Sequence, residues 1–208
     1  MEQKREEKQR MKAPATKKNR VARLCADREA LYNLGLMTVA WASTSFTYFL
    51  VIFLVKYLPG SLYMNQIVSG FSVIGYLVVP ALSRKWDNRV IMIMGYVLTV
   101  VFLAAMLLVE SELLHSTGEL TYSLIFFLFK CGVSMVFISL FVIHQDLFPT
   151  KFLATSYGLC NTFSRVVTLG APIAAEIANR SVPVGLMLAL NILALVATYF
   201  LRLKKNKD

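Results

Sequence analysis

Two cations stand alone in long apolar stretches of the chain: Lys130 within Leu120 to Ile143, and Arg165 within Phe152 to Ala175. An ammonium or guanidinium in apolar surroundings is costly unless an anion meets it. Lysine brings a point charge, whereas a guanidinium can grip a carboxylate through two parallel hydrogen bonds. The chemistry open to this pair is anion recognition. Tyr48, Asn65, Gln66 and Asn161 are polar side chains in comparable stretches. Each could line a route for a polar solute or act as hydrogen-bonding glue between helices. Other chemistries lack their residues, because there is no phosphate-cradling glycine loop, nucleophile elbow or metal-ligand spacing. No catalytic residue, metal or cofactor is expected. His115 and His144 have no partner at ligand spacing, and Trp41 reads as packing.

The elements that must position these residues follow from where charge is missing. The chain has 208 residues, 57% of them hydrophobic and only 16% charged, with a mean hydropathy of +0.59. A soluble domain carries about 25% charged residues. Leu31 to Val55, Leu58 to Leu82, Val90 to Val109 and Ser181 to Leu201 contain no charge at all. About 20 apolar residues cross a hydrocarbon core, so these four runs and the two that hold Lys130 and Arg165 make six transmembrane helices. Helices of a soluble bundle would need a polar face, and these have none. Lys130 lies roughly 15 Å along its helix at about 1.5 Å per residue, near the midplane of a core about 30 Å thick. Its stem cannot snorkel that far, so it requires a polar cavity or an anionic partner, which another unit could supply. Arg165 reaches similar depth from the other side and should face the bundle interior. Glu176 stands near the end of the same helix, too far along it to neutralise Arg165, and reads as an interfacial acid.

The net charge of +10 is not spread evenly. Basic residues crowd the tail 1–28, the link holding Arg84, Lys85 and Arg89, Lys151, and the end segment 204–208. With an even number of crossings these segments share one side, and the positive-inside rule makes that side cytosolic. The distribution argues against a nucleic-acid partner. The reading is a basic cytosolic tail (1–28), a six-helix bundle (29–203) and a basic cytosolic end (204–208). The first charged stretch is too long for a signal peptide. Cys25, Cys131 and Cys160 are scattered and expected to be free thiols. Pro59-Gly60 marks a turn and Pro149 the start of the fifth helix. The glycosylation pattern Asn179-Arg180-Ser181 falls in a loop tight against the membrane and is expected to be unmodified.

Phe129 to Pro172, FKCGVSMVFISLFVIHQDLFPTKFLATSYGLCNTFSRVVTLGAP, resembles the tenth and eleventh helices of organic anion, organic cation and carnitine transporters of the major facilitator superfamily. The matching residues are Lys130, Asp146-Leu147-Phe148-Pro149-Thr150, Gly158, Ser164-Arg165 and Ala171-Pro172. Trp41 to Leu50, WASTSFTYFL, is similar to the seventh helix, and Ser83 to Arg89, SRKWDNR, to the basic loop between helices eight and nine. Two positions depart from the pattern: Leu153 stands where an arginine usually follows the Pro-Thr turn, and Asn88-Arg89 where the loop has glycine-arginine.

The resemblance implies an all-α integral membrane fold: two inverted three-helix repeats forming half of a twelve-helix transporter, in the plasma membrane. It implies transport of a small organic solute by alternating access, with an N-terminal six-helix half or a second copy of the chain as partner besides membrane lipid. Substrate contact would fall to Arg165, Lys130, Tyr48, Gln66 and Asn161, and gating to Asp146 pairing with Arg84 or Arg89. A cap on the following helix is the other use open to Asp146. The competing expectation is a non-transporting structural or regulatory subunit. The topology makes a test: a tag at either terminus should be reached only in permeabilised cells, while Ser116→Cys should react with an impermeant reagent from outside. Labelling of a terminal tag on intact cells would overturn the six-span arrangement.

Overall fold

The computed structural model describes residues 27–110 and 118–202, and every regular element there is helical. Lipid offers no partner to backbone N–H and C=O groups, so a crossing chain satisfies them within helices. The apolar runs form α1 (Arg28–Leu54), α2 (Leu62–Phe71), α3 (Ile74–Leu82), α4 (Asn88–Glu110), α5 (Glu119–Leu147), α6 (Thr150–Thr168), α7 (Ala171–Ala175) and α8 (Ser181–Phe200). A 3-10 turn over Val55–Tyr57 closes α1. Asp27 caps α1 by accepting from the backbone N–H groups of Glu29 and Ala30 at 3.1 and 3.3 Å.

Five segments are long and apolar enough to cross a membrane: Arg28–Tyr57, Leu62–Leu82, Asn88–Glu110, Glu119–Leu147 and Ser181–Phe200. The fifth expected crossing, Phe152 to Ala175, is built differently. It carries Asn161, Ser164 and Arg165 and breaks after Thr168, so it does not meet that standard as one helix. It still runs between the two faces of the bundle. Pro149 precedes α6 beside the end of α5, and Glu176 beyond α7 bonds to Lys56 at the far end of α1. The start of α1 and the stretch after α8 lie on one face, because Asn33 exchanges two hydrogen bonds with the backbone of Arg202 at 3.0 and 3.1 Å.

The second crossing is also broken, at Ser72–Val73 between α2 and α3. The Ser72 hydroxyl donates to the Ser69 carbonyl at 2.6 Å, competing locally with the helical ladder. In the fifth crossing Pro172 lacks the N–H that would continue the helix across Leu169–Gly170. Packing pairs the first crossing with the fourth, fifth and sixth, the second with the fourth, and the third with the fourth and sixth. Exchanging crossings one to three for four to six maps this set onto itself: one–five becomes four–two, one–six becomes four–three, and three–six and one–four are unchanged. That is the packing of two three-helix repeats, each with a broken middle helix.

Polar groups inside the core are paired across helices. Thr44 and Tyr96 hydroxyls meet at 2.8 Å between α1 and α4, and Asn191 donates to Thr47 at 2.7 Å between α8 and α1. Glycines bring α5 close to both α3 and α4: a Cβ at Gly75 on α3 would fall 2.5 Å from the Cys131 carbonyl oxygen. A Cβ at Gly132 would fall 2.6 Å from Thr99 Oγ1 and 2.9 Å from the Thr99 backbone N, and one at Gly95 2.9 Å from Val136 Cγ2. Small residues let membrane helices pack backbone to backbone. Gly132→Ala should therefore lower the thermal stability of the solubilised protein. Gly35→Ala, on an exposed helical site where a Cβ meets nothing within 4 Å, should raise it by roughly 0.5–1 kcal/mol. Melting followed by size-exclusion chromatography checks both. Equal melting of Gly132→Ala and the parent would show that the helices are not held by this contact.

Candidate functional site

Along α5, Lys130, Phe137, Phe141 and His144 follow at steps of seven, four and three residues, which places them on one stripe. Tyr157, Asn161 and Arg165 make a similar stripe on α6 at steps of four. Between them α1 presents Trp41, Tyr48 and Phe49. The rings form a chain of contacts. Tyr48 lies 5.6 Å from Phe49 and 5.4 Å from Phe137, Phe137 lies 5.6 Å from Phe141, and Phe141 lies 5.9 Å from Tyr157. Trp41 stands edge-on to Phe141, Tyr157 and His144 at 5.1, 5.2 and 5.5 Å. Trp41 is buried, but Tyr48, Phe49, Phe137, Phe141 and Tyr157 remain partly open, so the strip forms a face.

Both cations rest on this strip. Lys130 Nζ is 4.9 Å from the centre of the Tyr48 ring, and Arg165 Cζ is 5.2 Å from that of the adjacent Phe49. Lys130 is 5% exposed, whereas Arg165 is open. Among the described residues neither has a carboxylate partner, the one ion pair there being Lys56–Glu176 at 2.9 Å. An aromatic face attracts a cation by about 0.5–2 kcal/mol, well short of what desolvating an ammonium costs. The arrangement leaves positive charge available to an anion, with apolar ring surface beside it.

The structure thus brings together Tyr48, Lys130 and Arg165. Asn161 is half-buried one turn before Arg165, and its carbonyl accepts from Ser164 at 2.8 Å. Gln66 is exposed on α2 and takes no part in the strip. Asn65 is buried and donates to the Pro59 carbonyl at 3.1 Å, so it holds the turn after α1. The expected partner of Asp146 is replaced: its carboxylate accepts from Asn88 at 2.8 Å. Arg89 instead donates to the carbonyl of Tyr199 at the end of α8 and stacks over that residue's ring. Carbonyls at a helix C-terminus carry partial negative charge and draw a guanidinium. Arg84 is exposed.

Three features had no counterpart in the sequence reading. The aromatic strip could have been found from the spacing along α5 and α6. His144 is buried, with Nε2 3.0 Å from the Ser156 hydroxyl across the Pro149 turn. Glu176 is no plain interfacial acid, since Lys56 donates to it at 2.9 Å and Tyr57 at 2.7 Å. The Lys56 ammonium, and after it the Tyr57 hydroxyl, hold the Glu176 carboxyl below the usual carboxylate range. The pair is therefore present at neutral pH and is lost only as pH falls through that lowered value.

Paired three-helix repeats, broken middle helices and a cationic, ring-lined face define a multi-pass membrane protein of the solute-carrying kind. A family model described as Major Facilitator Superfamily matches residues 2–172, and the chain belongs to that superfamily of membrane transporters. No curated protein matches the chain.

An unpaired cation in the bundle should limit stability. Lys130→Met keeps the stem's volume and removes the charge, so it should raise the melting temperature of the solubilised chain by a few degrees, about what 1 kcal/mol yields at this size. A lower melting temperature would mean that Lys130 has an anionic partner.

Proposed function

We propose that the chain acts as the C-terminal six-helix half of a secondary transporter related to the organic anion, organic cation and carnitine transporters. It carries small organic ions, favouring anions or zwitterions with a carboxylate, by alternating access in the plasma membrane. The facing half is an N-terminal six-helix unit or a second copy of the chain, and the substrate binds between the two. The observation that supports this reading is that Lys130 and Arg165 rest on neighbouring rings of α1 with no acid paired to either among the described residues. A substrate carboxylate supplies the missing charge: Arg165 can hold it in two parallel hydrogen bonds, while Lys130 adds a point charge. Tyr48, Phe49 and Phe137 offer apolar surface to the rest of the molecule. Asp146 and Asn88 tie α5 to α4 on the face bearing Asn33 and Arg202, where an inner gate would close.

The test is uptake of carboxylate and cationic solutes by the protein as the cell makes it, comparing Arg165→Lys, Arg165→Ala and Arg165→Asp at matched surface expression. Losing a charge-assisted hydrogen-bonding group should reduce carboxylate uptake by about tenfold or more for Arg165→Ala and less for Arg165→Lys. Arg165→Asp should gain some cation uptake. Unchanged carboxylate uptake in Arg165→Ala would make the arginine structural.

A further inference from the structure

At the face opposite Asn33 and Arg202, the first and fifth crossings meet in a cluster distinct from the aromatic strip. Lys56 Nζ donates to Glu176 Oε1 at 2.9 Å and the Tyr57 hydroxyl to Glu176 Oε2 at 2.7 Å, so both carboxylate oxygens are engaged. Lys56 also stands 4.4 Å from the centre of the Tyr57 ring. The cluster borders a cavity of about 200 Å³ lined by Leu54, Tyr57, Ala175, Glu176, Ile177 and Arg180. A lone exposed ion pair contributes little, because holding two long side chains costs entropy. Here one carboxylate ties two consecutive residues of a 3-10 turn.

Its position gives the cluster a use. Phe49 and Lys56 lie on the same crossing about 10 Å apart, and Arg165 and Glu176 on another about 16 Å apart, at about 1.5 Å per residue. The break at Leu169–Gly170 falls between Arg165 and Glu176. Toward the other face, Thr38 Oγ1 and Cys160 Sγ meet at 3.3 Å, which also joins the first and fifth crossings. Arg165 thus sits on a helix tied to α1 below, interrupted above, and tied again beyond the interruption. With the upper tie released, the break would let α6 and Arg165 swing away from Phe49. The counterpart place under the repeat exchange, where the second and fourth crossings end on the opposite face, has no ion pair among the described residues.

We propose that Lys56, Tyr57 and Glu176 are positioning residues for Arg165: they pin the end of the broken fifth crossing to α1, so that α6 presents the guanidinium over Phe49. The inference rests on the anion-binding role given to Arg165 above. Two readouts test it. Leu54, 3% exposed beside the cluster, is replaced by cysteine in a protein whose Cys25 and Cys131 are changed to alanine and Cys160 to serine, which keeps a partner for the Thr38 hydroxyl. Its reaction with a water-soluble maleimide is timed in proteoliposomes without substrate. If the pin controls local opening, Glu176→Gln should speed the reaction about fivefold, and Lys56→Glu with Glu176→Lys should bring it back to within about twofold. Equal rates in Glu176→Gln and its parent overturn the pin, and so does failure of the reversed pair to restore them. In carboxylate uptake, Glu176→Gln should raise KM about three- to tenfold with Vmax within about twofold, and the reversed pair should rescue it. An unchanged KM in a variant whose thiol rate has risen overturns the positioning role. Absence of any saturable carboxylate uptake by the parent sinks the anion reading and the positioning role with it, while the thiol rates still show whether the clamp exists.

Discussion

An ammonium buried in a membrane bundle, resting on a ring and with no carboxylate partner among the described residues, sets the terms for the surrounding structure. Lys130 cannot reach water along its own stem, and the Tyr48 face offsets only a fraction of its desolvation. Around it, α1, α5 and α6 leave the rings of the strip and Arg165 partly open instead of closing a dry core. That explains why α6 is the most polar of the long helices and why it alone fails to read as an apolar crossing. It explains too why aromatic side chains, amphipathic and rigid, fill the strip where aliphatic ones would have packed more tightly.

The repeat arrangement supplies the frame on which this exception is built. First and fourth crossings carry the strip, third and sixth close the bundle behind it through Tyr96, Thr44, Thr47 and Asn191, and the second and fifth flank it with interrupted helices. Interrupted segments in matching positions of two repeats are where transporters of this build tend to place their substrate and their moving parts. Here the fifth crossing carries a cation on one side of its break and an ion-paired end on the other.

Much of this was legible before any coordinates. A run without charge is a strong signal in a chain that must satisfy its backbone in lipid, so the crossings could be read directly. A single charge inside such a run is equally conspicuous, and Lys130 and Arg165 stood out for that reason. What stayed hidden depends on distance along the chain. Glu176 looked idle because its partner Lys56 is 120 positions away. Asp146 looked set to meet Arg84 or Arg89, but the Arg89 guanidinium found the carbonyl end of α8, a partner visible only once the sixth crossing is laid beside the third. The break at Ser72 carries no proline, and a serine turning its hydroxyl back on the ladder is common in helices that do not break. Gln66, a polar residue in an apolar run, lies exposed and apart from the strip.

The glycine contact between α4 and α5 has a mechanical consequence. With backbone against backbone at Gly132 and Thr99, the two helices have no side-chain cushion to slide on, and they behave as one plank. Lys130 is fixed to that plank two residues from the weld. Any tilt imposed on the lysine is then carried into the third crossing as well as the fourth. Gly75 sets α3 just as close to Cys131 of α5, so part of the second crossing moves with the same plank.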